Sequence, residues 1–491
     1  MNQKNWMTQL SYYFENCRTQ YPEDQLMIVF DIDGTILDMR FMMLNILNAY
    51  DHRHRTSFFK NLDISKMKIH ENEVAQLLNE RNIPDAEHPA ILDWYHEQCW
   101  TESYLLAAHQ PFKGVLEVIR WFQLQENTVV GLNTGRPESI RKETLASLNQ
   151  LGKSYKVRFE DALLHMSPYK WGKHVQKAKT DGLRKFQEAG FRVFAFVDNA
   201  PENLKAIEKI DPRREIFLLH ANTLFDTKRV SLPFYAAKGN TYDLAALIDK
   251  KSLPKHIQFV WQGINDETNL RQFLASDIQW GECDLRMAPI QNTPVLRHDP
   301  FWKTPFETEE HHLQLDTFLR CIAQTEKSIK FDLQEGGPLI DQLIESIDFY
   351  KIDPSRLCFQ GDVDILQELG FKTLAMAYPD ATLQTAVDFF SAVILNKAVE
   401  AKAVLNQYSS WGIRRFQLDW RVKYIRALFT QMEAWGFETD INHVADLEEF
   451  LEAILLMPTS ITADFNFPKW HYFGRGSGKN GAHHEYTEMC M

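Results

Sequence analysis

At 491 residues the chain is longer than one hydrophobic core usually organises, so at least two domains are expected. A hydrophobic share of 44% and a charged share of 24% exclude a fibrous, collagen-like or wholly disordered protein. The formal net charge of -12 disfavours indiscriminate binding to nucleic acid, although a local basic patch would still hold a phosphate group.

No apolar run comes near the roughly 20 residues that a membrane helix requires, and the opening MNQKNWMTQL lacks the apolar core of a signal peptide. The expectation is a soluble, cytoplasmic protein with no membrane span. Cys17, Cys99, Cys283, Cys321, Cys358 and Cys490 form no CxxC pair and no dense framework, which predicts reduced structural thiols.

In chain order, the first clear element is the run LMIVF from Leu26, a buried strand that ends in DIDGT. Residues 38 to 110 then read as helices, with MLNILNAY, ENEVAQLLNE and ILDWYHEQCW the clearest pieces. Apolar strands follow at TVVGLN and RVFAFVDN, each ending in polar residues and each succeeded by a helical pattern, SIRKETLASLNQ and PENLKAIEK. This alternation predicts an α/β domain over residues 1 to 250, a doubly wound parallel sheet whose ligands sit at strand C-termini. The helical insertion is placed to cover that site.

Asp31 and Asp33 flank Ile32 at the end of the first strand, so with the chain turning at Gly34 both carboxylates can face one volume above the sheet. Two carboxylates that close call for a cation, and Mg²⁺ is a natural partner that would also bind a substrate phosphate. One carboxylate can then attack phosphorus while the other serves the leaving oxygen as proton donor.

The DxDGT pattern resembles the first motif of haloacid dehalogenase (HAD) phosphatases. LNTGRP is similar to their second motif, which implies that Thr134 holds a phosphate oxygen. FVDNAPEN is similar to their fourth, which implies that Asp198 completes the magnesium site begun by Asp31 and Asp33. The resemblance also implies a catalytic lysine ahead of the fourth motif: Lys179 fits best, with Lys170, Lys173 and Lys177 as competitors. Asn199 stands where many relatives carry a second acid, and Glu202 is a candidate source of that charge. The resemblance spans about residues 24 to 250 and identifies the insertion as a helical cap, which favours a small phosphorylated metabolite as substrate. Arg40 and the run His52, Arg53, His54, Arg55 are candidate contacts for an anionic substrate, a plain exposed basic stretch being the simpler reading.

Beyond the charged, proline-bearing segment DKKSLPKH, a second domain is expected over residues 256 to 473, followed by a polar, glycine-rich flexible tail at 474 to 491. Candidate strands are QFVWQ, GECDLRM, PVLRH, SIKFDL, RLCFQ, TLAMAY, AVIL, RFQLDW and SITADF, with helical patterns such as LIDQLIESIDFY and LQTAVDFFSA between them. Such a series fits a (β/α)₈ barrel. Glu282 and Asp284 alternate on one strand face, His298 ends the next strand and Asp332 a later one, so all four converge on the C-terminal mouth and can bind Mg²⁺ or Ca²⁺. The pattern resembles the glycerophosphodiester phosphodiesterase branch of the phospholipase C-like barrels, and also the menorin family. It departs from the phosphodiesterases at Gln262, where they carry a first catalytic histidine, and at Gln334, where a lysine is usual. An amide cannot act as a general base near neutral pH.

The primary expectation is therefore a Mg²⁺-dependent phosphomonoesterase working through an aspartyl-phosphate, fused to a barrel that cleaves or binds a phosphodiester. The alternatives are another HAD reaction, such as phosphotransfer or phosphonate cleavage, and a scaffold that binds phosphate compounds through an inactive barrel.

Overall fold

The computed structural model describes residues 5–71, 73–107, 109–170, 172–223, 231–249, 253–303 and 312–463. The expected tail at 474 to 491 lies outside the described residues. The chain divides into two compact units, Met1–Asp249 and Lys250–Met491.

In the first unit the described strands are β1 (Leu26–Phe30), β2 (Thr128–Pro137), β3 (Leu164–Ser167), β4 (Arg192–Asp198), β5 (Phe217–Ala221) and β6 (Ala237–Gly239). They form one parallel sheet in the order β3-β2-β1-β4-β5-β6. β1 is central because LMIVF is apolar at every position, as a strand covered on both faces must be. On one face Met27 and Val29 pack with Leu183 and Phe186 of the helix Val175–Glu188 and with Leu204 and Ile207 of the helix Pro201–Ile210. Each such side chain contributes about 1.5–3 kcal/mol on burial. An N-terminal helix, Trp6–Gln20, also joins the core: Phe14 meets Phe122 edge-on and tilts against Phe194.

The insertion after β1 is helical, with helices Arg40–His54, Val74–Glu80, His88–Gln98 and Glu102–Ala107. The chain enters and leaves it side by side, through a bridge between Leu37 and Pro111 and a 2.8 Å bond from the Asp38 amide to the Gln110 carbonyl.

The second unit is a closed barrel. Its strands are β7 (Gln258–Trp261), β8 (Trp280–Met287), β9 (Pro294–Leu296), β10 (Ser328–Leu333), β11 (Leu357–Gln360), β12 (Thr382–Ala386), β13 (Ile413–Asp419), β14 (Glu438–Val444) and β15 (Ser460–Ala463). Eight are parallel and β15 returns to pair with β7, while β9 folds back antiparallel on β8 and stands outside the ring. PVLRH is thus a hairpin arm and not a barrel strand.

Two expected strands are helical: TLAMAY ends the helix Val363–Ala377, and AVIL lies in the helix Ser391–Asn396. In the first, Leu366, Gly370, Phe371 and Leu374 are buried at helical spacing, which overrides the local apolar look of the run. The strands in fact come from TLQTA and ETDINHV, whose inner faces are polar. There Lys330 of β10 reaches Asp440 of β14 at 3.0 Å, and Gln384 and Gln417 each donate to Asp440 at 2.9 Å. The barrel core is a hydrogen-bonded polar network at the level where aliphatic layers are usual.

Candidate functional site

In the first unit the ends of β1, β2 and β4 lie side by side because β1 pairs with both neighbours. Gly34 turns the chain after Asp33 with φ of +76°, and a Cβ there would fall 2.1 Å from the Asn199 side chain. Only glycine allows the first-strand turn and the β4 turn to approach this closely.

Lys179, on the helix Val175–Glu188, is 1% exposed and places Nζ 2.5 Å from Asp31 and 2.9 Å from Asp198. It also donates to the Asn133 carbonyl at 2.6 Å. Burial works against its charge, but Asp198 and Asp31 outweigh that and push its pKa up. Burial likewise raises Asp31, to about 8; Lys179 opposes the rise, while Asp198 and Asp33 add to it. The competing lysines Lys170, Lys173 and Lys177 are exposed, and Lys177 rests against the Tyr169 ring.

Gly182 makes this placement possible, since a Cβ on it would stand 2.3 Å from the His165 ring and 2.7 Å from the Asn133 side chain. Gly182→Ala is therefore expected to cost about 1–3 kcal/mol through overpacking, less the ~1 kcal/mol that alanine returns in helix propensity. Urea unfolding of the two proteins measures the balance.

Asp33 pairs with Arg136, whereas Asp31 and Asp198 pair with Lys179. Arg136, 1% exposed, grips both Asp33 oxygens, with Nη2 2.6 Å from Oδ1 and Nε 2.9 Å from Oδ2. A buried guanidinium needs a bidentate acceptor, and the nearest carboxylate supplies it. Thr134 is fully buried, and its hydroxyl accepts the Arg136 amide at 3.2 Å, so its own hydrogen can still be donated elsewhere. Around Arg136 lie the Trp100 ring, the Thr144 hydroxyl and His109, whose pKa burial and Arg136 push down to about 2. Burial and Asp33 push Glu71, from the helical insertion, up to about 7.

Arg136, His109 and Glu71 escaped the sequence reading; Arg136 had a signal, lying two residues after Thr134 in LNTGRP. Three of the basic candidates are otherwise engaged: Arg40 pairs with Asp38 at 2.7 Å, Arg53 stacks on Trp94 and His54 on Tyr50, while His52 and Arg55 are exposed. Asn199 packs on Gly34, and Glu202 sits in the first turn of Pro201–Ile210.

In the barrel, Glu282 and Asp284 of β8 and Asp332 of β10 face inward and offer oxygens that lie within 4.8 Å of one another. The Gly263 amide donates to Glu282 at 2.8 Å, while Asn265 and Gln334 donate to Asp284 at 2.7 and 3.1 Å. Burial raises all three acids, Glu282 well above the usual range and Asp332 to about 7, and their mutual repulsion adds to this for Glu282 and Asp332. Gln334 is itself held by Arg286 at 3.1 Å, so the amide at the usual lysine position orients Asp284. His298 stands at the rim, 57% exposed, with Nδ1 3.2 Å from Asp299. Gln262 buries an Oε1 that meets no hydrogen-bond donor of the protein.

Both donor sets fit a hard divalent cation. Asp31 and Asp198 share one buried ammonium between two carboxylates, and the barrel triad has crowded oxygens whose raised pKa values mark a shortage of positive charge. The Asp33 carboxylate, held by Arg136, is outside the first set.

The first unit thus has a doubly wound parallel sheet with a helical insertion, and the second is a (β/α)₈ barrel. No family model and no curated protein matches the chain. Among solved structures it is similar to an Oleispira antarctica phosphodiesterase in complex with sn-glycerol-3-phosphate (14% identity, 43% of this chain and 94% of that one, TM-score 0.33). It is similar also to a glycerophosphodiester phosphodiesterase from Agrobacterium tumefaciens (10%, 42% and 96%, TM-score 0.29). A haloacid dehalogenase-like hydrolase from Streptococcus pneumoniae matches at 12% identity over 41% of this chain and 87% of that one, with a TM-score of 0.28. At these values the chemistry has to be read from the chain's own residues. Among the described residues no helix is long and apolar enough to cross a membrane.

Proposed function

We propose that the first unit hydrolyses a small phosphomonoester through an aspartyl-phosphate on Asp31, and that the barrel cleaves a phosphodiester. The observation that carries the first reading is the buried Lys179 set between Asp31 and Asp198 at the ends of β1 and β4. Asp31 attacks phosphorus, Lys179 offsets the charge of the carboxylate and the incoming phosphate, and Thr134 donates to a phosphate oxygen. Asp33 serves as proton donor to the leaving oxygen once it turns from Arg136. Bound Mg²⁺ would be held by Asp31 and Asp198 and would neutralise phosphate charge.

The barrel reading rests on the converging Glu282, Asp284 and Asp332. They would hold Mg²⁺ or Ca²⁺, which would offset the charge of the diester, and His298 would take a proton from the attacking water. A single assay tests both readings: release of products from panels of monoesters and diesters in the presence of Mg²⁺, with Asp31→Asn and Glu282→Gln beside the unaltered chain. Monoester turnover is expected to vanish only with Asp31→Asn and diester turnover only with Glu282→Gln. Loss of both activities in either variant would contradict the assignment of separate sites.

A further inference from the structure

Gln262 leaves the barrel one proton-handling group short. The other arc of the same mouth holds a histidine that the sequence reading passed over. Alternation along β14 turns Asp440 and Asn442 inward, in register with Gln417 and Asp419 of β13, and should turn His443 out toward the helices. Two features reverse it: His443 adopts φ of +54°, and the pairing of β14 with β15 shifts register between Ile441 and Val444. The imidazole is thereby brought to Asp419, with Nδ1 3.1 Å from Oδ2, though not aligned as a hydrogen bond.

Asp419 is fixed for this role. The Arg421 guanidinium and amide bind it at 2.6 to 2.9 Å, and its own amide donates to Asp388 at 2.7 Å. Burial works to raise its pKa, but His443 and Arg421 outweigh that and hold it well below the carboxylate range, so the carboxylate stays charged. The charged groups facing His443 are thus Asp419 and Asp388, with Arg421 behind Asp419. The ring is 35% exposed and open to a ligand. Beside it Asn442, 8% exposed, buries an Oδ1 that meets no donor of the protein, as the wall of a site for a hydroxyl-bearing ligand would. In the ring order β7-β8-β10-β11-β12-β13-β14-β15, the strands β13 and β14 stand opposite β8 and β10, which carry the acidic triad.

We propose that His443, positioned by Asp419, is a catalytic acid of the barrel and protonates the oxygen that leaves a phosphodiester. The inference rests on the diesterase reading given above. As the water oxygen bonds to phosphorus, the bond from phosphorus to the leaving oxygen breaks. The proton of the water goes to His298 and the proton of His443 goes to the departing alkoxide. Exchange with solvent restores both rings.

The test is the dependence on the leaving group. Glycerophosphoethanolamine has an alkoxide leaving group that needs a proton, whereas bis(para-nitrophenyl) phosphate has a phenolate that does not. Asparagine accepts the left-handed backbone at this position, so His443→Asn should keep the local fold. It is expected to slow the alkyl ester by about 10²-fold or more and the aryl ester by less than about threefold. Asp419→Asn should show the same split at roughly a tenth of the size, and it serves if circular dichroism shows His443→Asn to be unfolded. Equal slowing of both esters, no slowing of either, or turnover by the unaltered chain of the aryl ester alone would overturn the role of His443 while leaving a Glu282-dependent diesterase in place. No diester turnover by the unaltered chain would remove the diesterase reading and this inference together.

Discussion

Asp31→Asn is expected to reduce phosphomonoester turnover by roughly 10⁴-fold or more, because an amide oxygen is a poor nucleophile toward phosphorus and no bond to the enzyme can form. The substitution keeps the size of the side chain, and Lys179 retains Asp198 at 2.9 Å and the Asn133 carbonyl at 2.6 Å, so the fold around β1 should survive. Initial rates of phosphate release, read beside a thermal melt of each protein, separate loss of chemistry from loss of structure. A variant that is folded and keeps more than about a hundredth of the activity would rule out the aspartyl-phosphate route.

Asp440→Asn should be the most damaging single change in the barrel core. It leaves Lys330, 2% exposed, without the carboxylate that balances it, and breaking a buried pair from one side costs about 3–5 kcal/mol. Replacing both residues together, Lys330→Met with Asp440→Leu, should recover part of that loss because no charge is then stranded. The pair also sets an acid limit. Burial works to raise the Asp440 pKa, but Lys330, Ser460, Gln417 and Arg415 outweigh it and hold the folded value below the ordinary one. Its contribution is thus complete above the unfolded aspartate value of about 3.9 and disappears as pH falls through the lower folded value. Urea midpoints between neutral pH and pH ~3 should converge for the unaltered chain and Asp440→Asn.

The first unit was legible because its signals are local. An unbroken apolar strand, a polar turn and a following helix are written in consecutive residues, and the resemblance to HAD phosphatases singled out Lys179 through its distance along the chain from Asp198. Arg136 lies two residues after Thr134 in LNTGRP, but its pairing with Asp33 spans 103 positions and is written in neither local motif.

The barrel misled for a definite physical reason. Strand recognition assumes that the buried face is apolar, but here β12 presents Gln384 and β14 presents Asp440 and Asn442 to the interior. LQTAVDFFSA therefore looked helical and ETDINHV went unrecognised, while the apolar runs TLAMAY and AVIL belong to helices. His443 was hidden twice, by a strand that was not recognised and by a left-handed residue that reverses its expected direction.

The described strands of this chain offer little backbone to other chains. The barrel closes on itself through β15 and β7, so its ring has no edge. The six-stranded sheet of the first unit ends in β3 and β6, which run for only 4 and 3 residues. Short edges and closed rings give an incoming strand few unpaired amides to match. Sheet-to-sheet polymerisation thus finds few starting points among the described strands.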